Sequence, residues 1–147
     1  VRTLVTRDER IVPGAGAAEM ALSRALGKFA DLTPGVSQYA IRAFAESFEV
    51  VPRVLAMNGG LDSHDCLARL AAAQEASGPR QGVNLDDPQS TIDSISGGIV
   101  DSLAAKTSAI QLAVDCALTI LRVDQIIMSK PAGGPKSRAP GAQDEDD

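Results

Sequence analysis

The sequence predicts a mainly α-helical domain with a few short β-strands at its margins, and three observations carry that prediction. Long stretches place apolar residues three and four positions apart, as helices with one buried face require. Aromatic residues make up only 3% of a chain that is 44% hydrophobic, so helices must approach through small side chains rather than around large rings. Segments of alternating or β-branched character are short and lie between or after the helices. At 147 residues there is room for a single core.

Residues 1–12 read as the end of one element, a charged turn at Arg7-Asp8-Glu9-Arg10, and a short extended stretch. Residues 17–30 carry Ala18, Leu22, Ala25, Leu26 and Phe29 at helical spacing, which predicts a helix with that face inward. Glu19 falls in its first turn, where the helix dipole favours an acid. Thr33-Pro34-Gly35 predicts the next helix start, because threonine caps and proline at the first helical position loses no needed N–H. That helix runs to about Val50, with Ile41, Phe44, Phe48 and Val51 in a core-facing stripe. Pro52 opens a further helical segment that ends at Asn58-Gly59-Gly60. Asp62 and Ser63 open another, to about Ala76, with Leu67, Leu70 and Ala71 inward.

Residues 81–86 alternate through Val83 and Leu85 and predict a strand, whereas 90–96 predict a short helical or irregular approach to Gly97-Gly98. The helix predicted from Ser102 to Arg122 is apolar over much of its circumference, which predicts burial among neighbours. Residues 123–128 predict an edge strand. From Lys130 onward the Gly- and Pro-rich, acid-ended sequence has little apolar area to bury and is predicted to be disordered.

A net charge of −5 and a pI near 4.8 give no reason to expect a nucleic-acid or anionic-membrane partner. Cys66 and Cys116 are far apart, and His64 is the one histidine, so no zinc-type ligand set is present. Two buried, reduced thiols in a cytosolic chain are expected instead. No stretch approaches the roughly 18–20 uninterrupted apolar residues of a membrane span, and no signal peptide is evident. Val1 in place of an initiator methionine predicts a piece of something longer.

Two places put chemistry at a helix start. Gly97-Gly98-Ile99-Val100-Asp101 brings a carboxylate to the unpaired backbone N–H groups of the last helix, which suits a hydroxyl-bearing ligand. Pro13-Gly14-Ala15-Gly16-Ala17 is a second glycine turn opening onto a helix, and two such turns can close on one nucleotide. Neither has the spacing of a complete phosphate loop. A plainer reading stays open for both, with the first an ordinary helix entry and Asp101 an N-cap. Lys106 opposes the dipole and lies one residue outside ideal helical pairing with Asp101, so it reads either as a ligand contact or as a solvated cation. His64 has no nucleophile motif beside it, and Asp86-Asp87-Pro88 reads as a loop start. No catalytic or metal-ligating residue emerges. On these features alone, a standalone helical protein-interaction module without a nucleotide site is the alternative.

Several strings resemble the second half of a group II chaperonin subunit, of the TCP-1 family whose eukaryotic ring is also called CCT or TRiC. They are Pro-Gly-Ala-Gly-Ala-Ala-Glu (13–19), Tyr-Ala-Ile-Arg-Ala-Phe-Ala-Glu-Ser-Phe-Glu-Val-Val-Pro-Arg-Val-Leu-Ala (39–56), Gly-Val-Asn-Leu-Asp (82–86) and Gly-Ile-Val-Asp (98–101). A further one is Leu-Arg-Val-Asp-Gln-Ile-Ile-Met-Ser-Lys-Pro-Ala-Gly-Gly-Pro-Lys (121–136), which is most similar to one particular subunit type of that ring. The strings are collinear over nearly the whole chain.

The resemblance implies an ATP-driven cytoplasmic folding chamber of two stacked eight-membered rings, acting on non-native clients such as actin and tubulin. It implies that 1–13 end the intermediate domain and cross over, 14–130 form the C-terminal half of the helical equatorial ATP-binding domain, and 131–147 are a tail. By position, Ala15 and Gly16 would line the adenosine side of ATP or ADP. Asp101 would accept hydrogen bonds from the ribose hydroxyls, with Lys106 beside it near the base or sugar. Ala15 departs from the family's usual triple glycine, placing a methyl where close approach or positive φ favours glycine. The phosphate loop, its Mg²⁺-binding Asp and the Asp that orients water belong to other parts of such a subunit. An ATPase parent is therefore implied, with no turnover by these residues alone. Residues 123–128 would pair with strands of the same subunit's N-terminus and of a ring neighbour.

Overall fold

The computed structural model describes residues 9–128, and expectations for 1–8 and for the tail from Ser129 lie outside the described residues. The chain divides into two compact units, Val1–Leu112 and Ala113–Asp147.

In the first unit, β1 (Ile11–Pro13) leads through a glycine turn into α1 (Ala17–Leu32), followed by α2 (Ser37–Ser47), α3 (Val50–Asn58) and α4 (Ser63–Ser77). Then come β2 (Gln81–Val83), β3 (Thr91–Asp93), β4 (Val100–Ser102) and the start of α5 (Leu103–Leu121). β1 pairs antiparallel with β4, Val12 opposite Asp101, while β2 and β3 form a separate antiparallel hairpin. The core gathers Met20, Ala56, Cys66, Leu67, Leu70 and Val83, with Leu55, Leu61 and Ala71 packed against it. Burial of Cys66 pushes its thiol above the ordinary range, so it stays protonated and inert.

α4 follows its sequence closely. The Asp62 carboxylate accepts hydrogen bonds from the N–H groups of His64 (2.9 Å) and Asp65 (3.2 Å), capping the helix as expected, and Leu67 and Leu70 point inward. Buried Gln74 of the same helix donates through Nε2 to the carbonyls of Ala17 and Gln81, both at 2.9 Å. One amide thus ties the start of α1 to β2.

The face of α1, the role of Thr33, the placing of Phe44 and Phe48, and residues 91–93 differ from expectation. α1 buries Ala17, Glu19, Met20, Ser23 and Ala30 rather than the Leu22–Phe29 stripe, and Phe29 is 57% exposed. The helix lies against the rest of the unit through Met20 and the small residues Ala17, Ser23 and Ala30, which let the backbones approach closely. Thr33 ends α1 instead of starting α2: its hydroxyl donates to the Phe29 carbonyl at 2.8 Å and its N–H to that of Ala30. Phe44 and Phe48 meet edge to face with centroids 5.0 Å apart, but Phe44 is exposed and Phe48 only partly covered, so neither is core. Residues 91–93 are a strand because the Asn84–Ser90 loop folds the chain back on β2.

In the second unit α5 continues to Leu121, and residues 123–128 form no strand. A strand exists only in a ladder, and none of the described residues pairs with this segment. No residue of α5 is fully buried among the described residues: its first turns are partly covered, but Leu112 is 70% and Leu121 78% exposed, and Cys116 is exposed, against the expected buried thiol. α5 is also long and apolar enough, by length and composition, to cross a membrane (mean hydropathy 1.3), although Lys106, Gln111 and Asp115 interrupt it.

Candidate functional site

The turn between β1 and α1 is built by two successive residues in the left-handed region, Ala15 (φ 53°) and Gly16 (φ 73°). A Cβ on Gly16 would stand 2.8 Å from the Cβ of buried Pro52, so glycine is required by conformation and by space. Ala15 adopts the same region despite its methyl, at a cost of about 1–2 kcal/mol. Backbone bonds pin the turn on both sides. Gly14 N–H donates to the Ile99 carbonyl and Val83 N–H to that of Ala15, each at 2.9 Å. The hydroxyl of fully buried Ser94 donates to the Gly14 carbonyl at 3.1 Å. Gly82 lets the hairpin come this close, since a Cβ there would meet Ser94 Oγ at 2.5 Å and Ala15 Cβ at 2.8 Å.

Between this turn and the hairpin lies a cleft of about 400 Å³, walled by Ala15, Leu55, Val83, Leu85, Ile92 and Ile99, with Asn84 and Asp86 contributing polar groups. Asn84 organises the adjoining loop: its Oδ1 accepts from the N–H groups of Asp86 (3.0 Å) and Asp87 (3.3 Å), and its Nδ2 donates to Ser90 (2.9 Å). Asp87 caps the next turn, and the Gln89 N–H holds its carboxyl below the usual range. The loop-start reading of Asp86-Asp87 therefore agrees with the structure. A second cleft, about 500 Å³, lies between α1 and the start of α5 and is lined by Val12, Ala18, Leu22, Leu103, Lys106 and Ile110.

Asp101 is not a helix cap. It stands in β4 opposite Val12, and Ser102 takes the capping position, its hydroxyl accepting from Ala105 N–H at 3.4 Å. Because Asp101 precedes the helix in an extended segment, helical spacing does not govern its reach. Its Oδ2 lies 2.9 Å from Lys106 Nζ, and the same ammonium is hydrogen-bonded to Glu19 Oε1. Burial alone would lower the Lys106 pKa. The hydrogen bonds and charges of Glu19 and Asp101 outweigh it and hold the pKa above the ordinary 10.5. Lys106 is thus not a freely solvated cation: its ammonium is held between two carboxylates.

Of the four residues singled out from sequence, Asp101 and Lys106 are brought together, and Ala15 lines the cleft beside Ile99, two residues before Asp101. Gly16 is buried against Pro52 and is not among the cleft-lining residues. Sequence reasoning missed Glu19, taken only as a first-turn acid, and the cleft walls Leu55, Asn84, Leu85, Ile92 and Ile99. The signal for Asn84 and Leu85 was available in the Gly-Val-Asn-Leu-Asp string.

A helical body in which a glycine turn and a hairpin wall one cleft, with Ile99 leading from its wall into the strand that bears Asp101, defines a class of protein here. The model of the TCP-1/cpn60 chaperonin family matches residues 1–131, and the chain belongs to that family. T-complex protein 1 subunit theta of Homo sapiens is 42% identical over 145 residues, 98% of this chain and 26% of that protein. The theta subunit of Dictyostelium discoideum is 46% identical over 143 residues, 96% of this chain and 26% of that protein. Theta is thus the subunit type toward which the C-terminal string pointed. The solved open-state monomer of a group II chaperonin from Methanococcoides burtonii superposes with a TM-score of 0.72 at 34% identity, covering 77% of this chain and 28% of that one. The chain spans about a quarter of the length of the curated relatives it matches. Family membership displaces the alternative of a standalone interaction module.

Proposed function

We propose that this chain supplies the adenosine side of the ATP site of a theta-type chaperonin subunit. The observation that carries the reading is the cleft between the Ala15 turn and the β2–β3 hairpin, with the half-exposed carboxylate of Asp101 on the strand that continues from its wall. Apolar walls suit the faces of a purine, and Asn84 and Asp86 offer polar groups to its edge. Ala15 would contact the nucleoside, Gly16 would let the turn approach it, Asp101 would accept from the ribose hydroxyls, and Lys106 would stand beside Asp101. ATP or ADP, when bound, brings phosphoryl-transfer chemistry, for which Mg²⁺, the phosphate loop and the water-orienting acid would come from the remainder of a full-length subunit.

On this reading residues 14–130 are equatorial, 1–13 lead in from the intermediate domain, and 131–147 form a tail. The full-length subunit would be a cytoplasmic ATPase in a double eight-membered ring, folding clients such as actin and tubulin. The exposed 123–128 segment would join an inter-subunit sheet, and the bare flank of α5 would be covered by the rest of the subunit.

The test is ATP affinity of the full-length subunit. Asp101→Ala should weaken binding by roughly 1–3 kcal/mol, the scale of a lost charge-assisted hydrogen bond. Asp101→Asn should recover only part of it. Wild-type affinity in Asp101→Ala would overturn the ribose role, and sustained Mg²⁺-dependent hydrolysis by this chain alone would overturn the division of labour.

A further inference from the structure

We propose that Glu19 is a positioning residue for Asp101, acting through Lys106, so that α1 sets the orientation of the carboxylate that receives the ribose. The inference rests on the ribose reading of Asp101 given above. Glu19 is 8% exposed, and among the described residues its Oε2 has no hydrogen-bond partner, so its charge is balanced through Oε1 by Lys106. Lys106 has three N–H donors, of which one meets Glu19 and another meets Asp101 Oδ2 at 2.9 Å. The contact engages Oδ2 of Asp101 and leaves Oδ1 to accept from a ligand hydroxyl.

Asp101 needs such a brace because its side chain is 48% exposed and would otherwise sample several rotamers. Lys106 needs Glu19 for a different reason. A lysine in the first turn of α5 faces the positive end of the helix dipole, and its long stem reaches solvent easily. The buried Glu19 holds the ammonium in place, with the lysine side chain only 22% exposed. Together the two carboxylates keep Lys106 charged at neutral pH. Since α1 begins at the Ala15 turn, one rigid element fixes both the nucleoside-facing turn and, through Glu19, the ribose carboxylate.

The experiment is equilibrium titration of full-length subunits with ATP and with 2′,3′-dideoxy-ATP, for wild type, E19Q, D101A and the double variant. E19Q should weaken ATP binding about three- to tenfold and leave the dideoxy analogue unchanged. Its effect should vanish in the D101A background. Lys106→Met should reproduce the hydroxyl-dependent loss and serves if E19Q does not fold. Equal weakening of both nucleotides by E19Q and Lys106→Met would make Glu19 a merely structural residue and overturn the proposal. ATP binding unaffected by E19Q, with D101A still discriminating the two nucleotides, would overturn the positioning role and leave the ribose reading standing. No discrimination by D101A would overturn both.

Discussion

Gly82→Ala should open the contact on which the cleft depends. The added Cβ would lie 2.5 Å from Ser94 Oγ, 2.8 Å from Ala15 Cβ and 3.0 Å from the Ala15 carbonyl oxygen. None of these can yield easily. Ser94 is fully buried and bonded to Gly14, and the Ala15 carbonyl accepts from Val83 N–H. Overpacking of this kind costs about 1–3 kcal/mol, and losing the Ser94 hydrogen bond adds about 1 kcal/mol, so the expected destabilisation is on the order of 2–4 kcal/mol. Because the hairpin must shift from the turn, ATP affinity of the full-length subunit should fall together with its thermal midpoint. Adding Ala15→Gly removes one clash and should recover part of the loss, a non-additivity expected only of residues in contact. A Gly82→Ala subunit with unchanged midpoint and affinity would refute the reasoning, because it would show that turn and hairpin do not press together.

Ala15→Gly alone should stabilise by up to about 1 kcal/mol, as relief of the left-handed strain outweighs the added freedom of the unfolded glycine and the lost methyl contact, and a thermal scan would detect it. Asp62 has its carboxyl held below the ordinary 3.8 by the N–H groups of Asp65 and then His64, so its cap contribution is present above that value and lost as pH falls through the lower folded pKa. Asp62→Ala should therefore lower the thermal midpoint at neutral pH, with the difference from wild type closing in acid. A difference independent of pH would show that the charge is not what caps α4. Ile126→Pro should remove a ladder donor and impair ring incorporation while leaving α5 helical by circular dichroism, and normal incorporation would show that 123–128 is not an assembly strand.

What the sequence determined by itself is what neighbours along the chain decide. The Asp62 cap needs only its own side chain and the next few N–H groups, and the extent of α5 needs only uninterrupted helical spacing, so both were legible. The same holds for the glycine turn at 14–16 and for the collinear strings that carry family membership. Which face of a helix turns inward is another matter. α1 offers two usable faces, and the approach of its neighbours buries Met20 and Ser23 rather than Leu22 and Phe29. Thr33 caps either helix by local chemistry, and only the packed chain makes it the end of α1. Residues 91–93 hold β-branched Thr91 and Ile92 in a run too short to mark a strand by itself, and become one through pairing with β2. The charge cluster is the clearest case. Glu19, Asp101 and Lys106 are each ordinary in their own segments, and their meeting is decided by β1 pairing with β4, which sets the start of α5 beside the start of α1. Side-chain contacts across such distances in sequence arise from strand register and helix placement, quantities that no local pattern encodes.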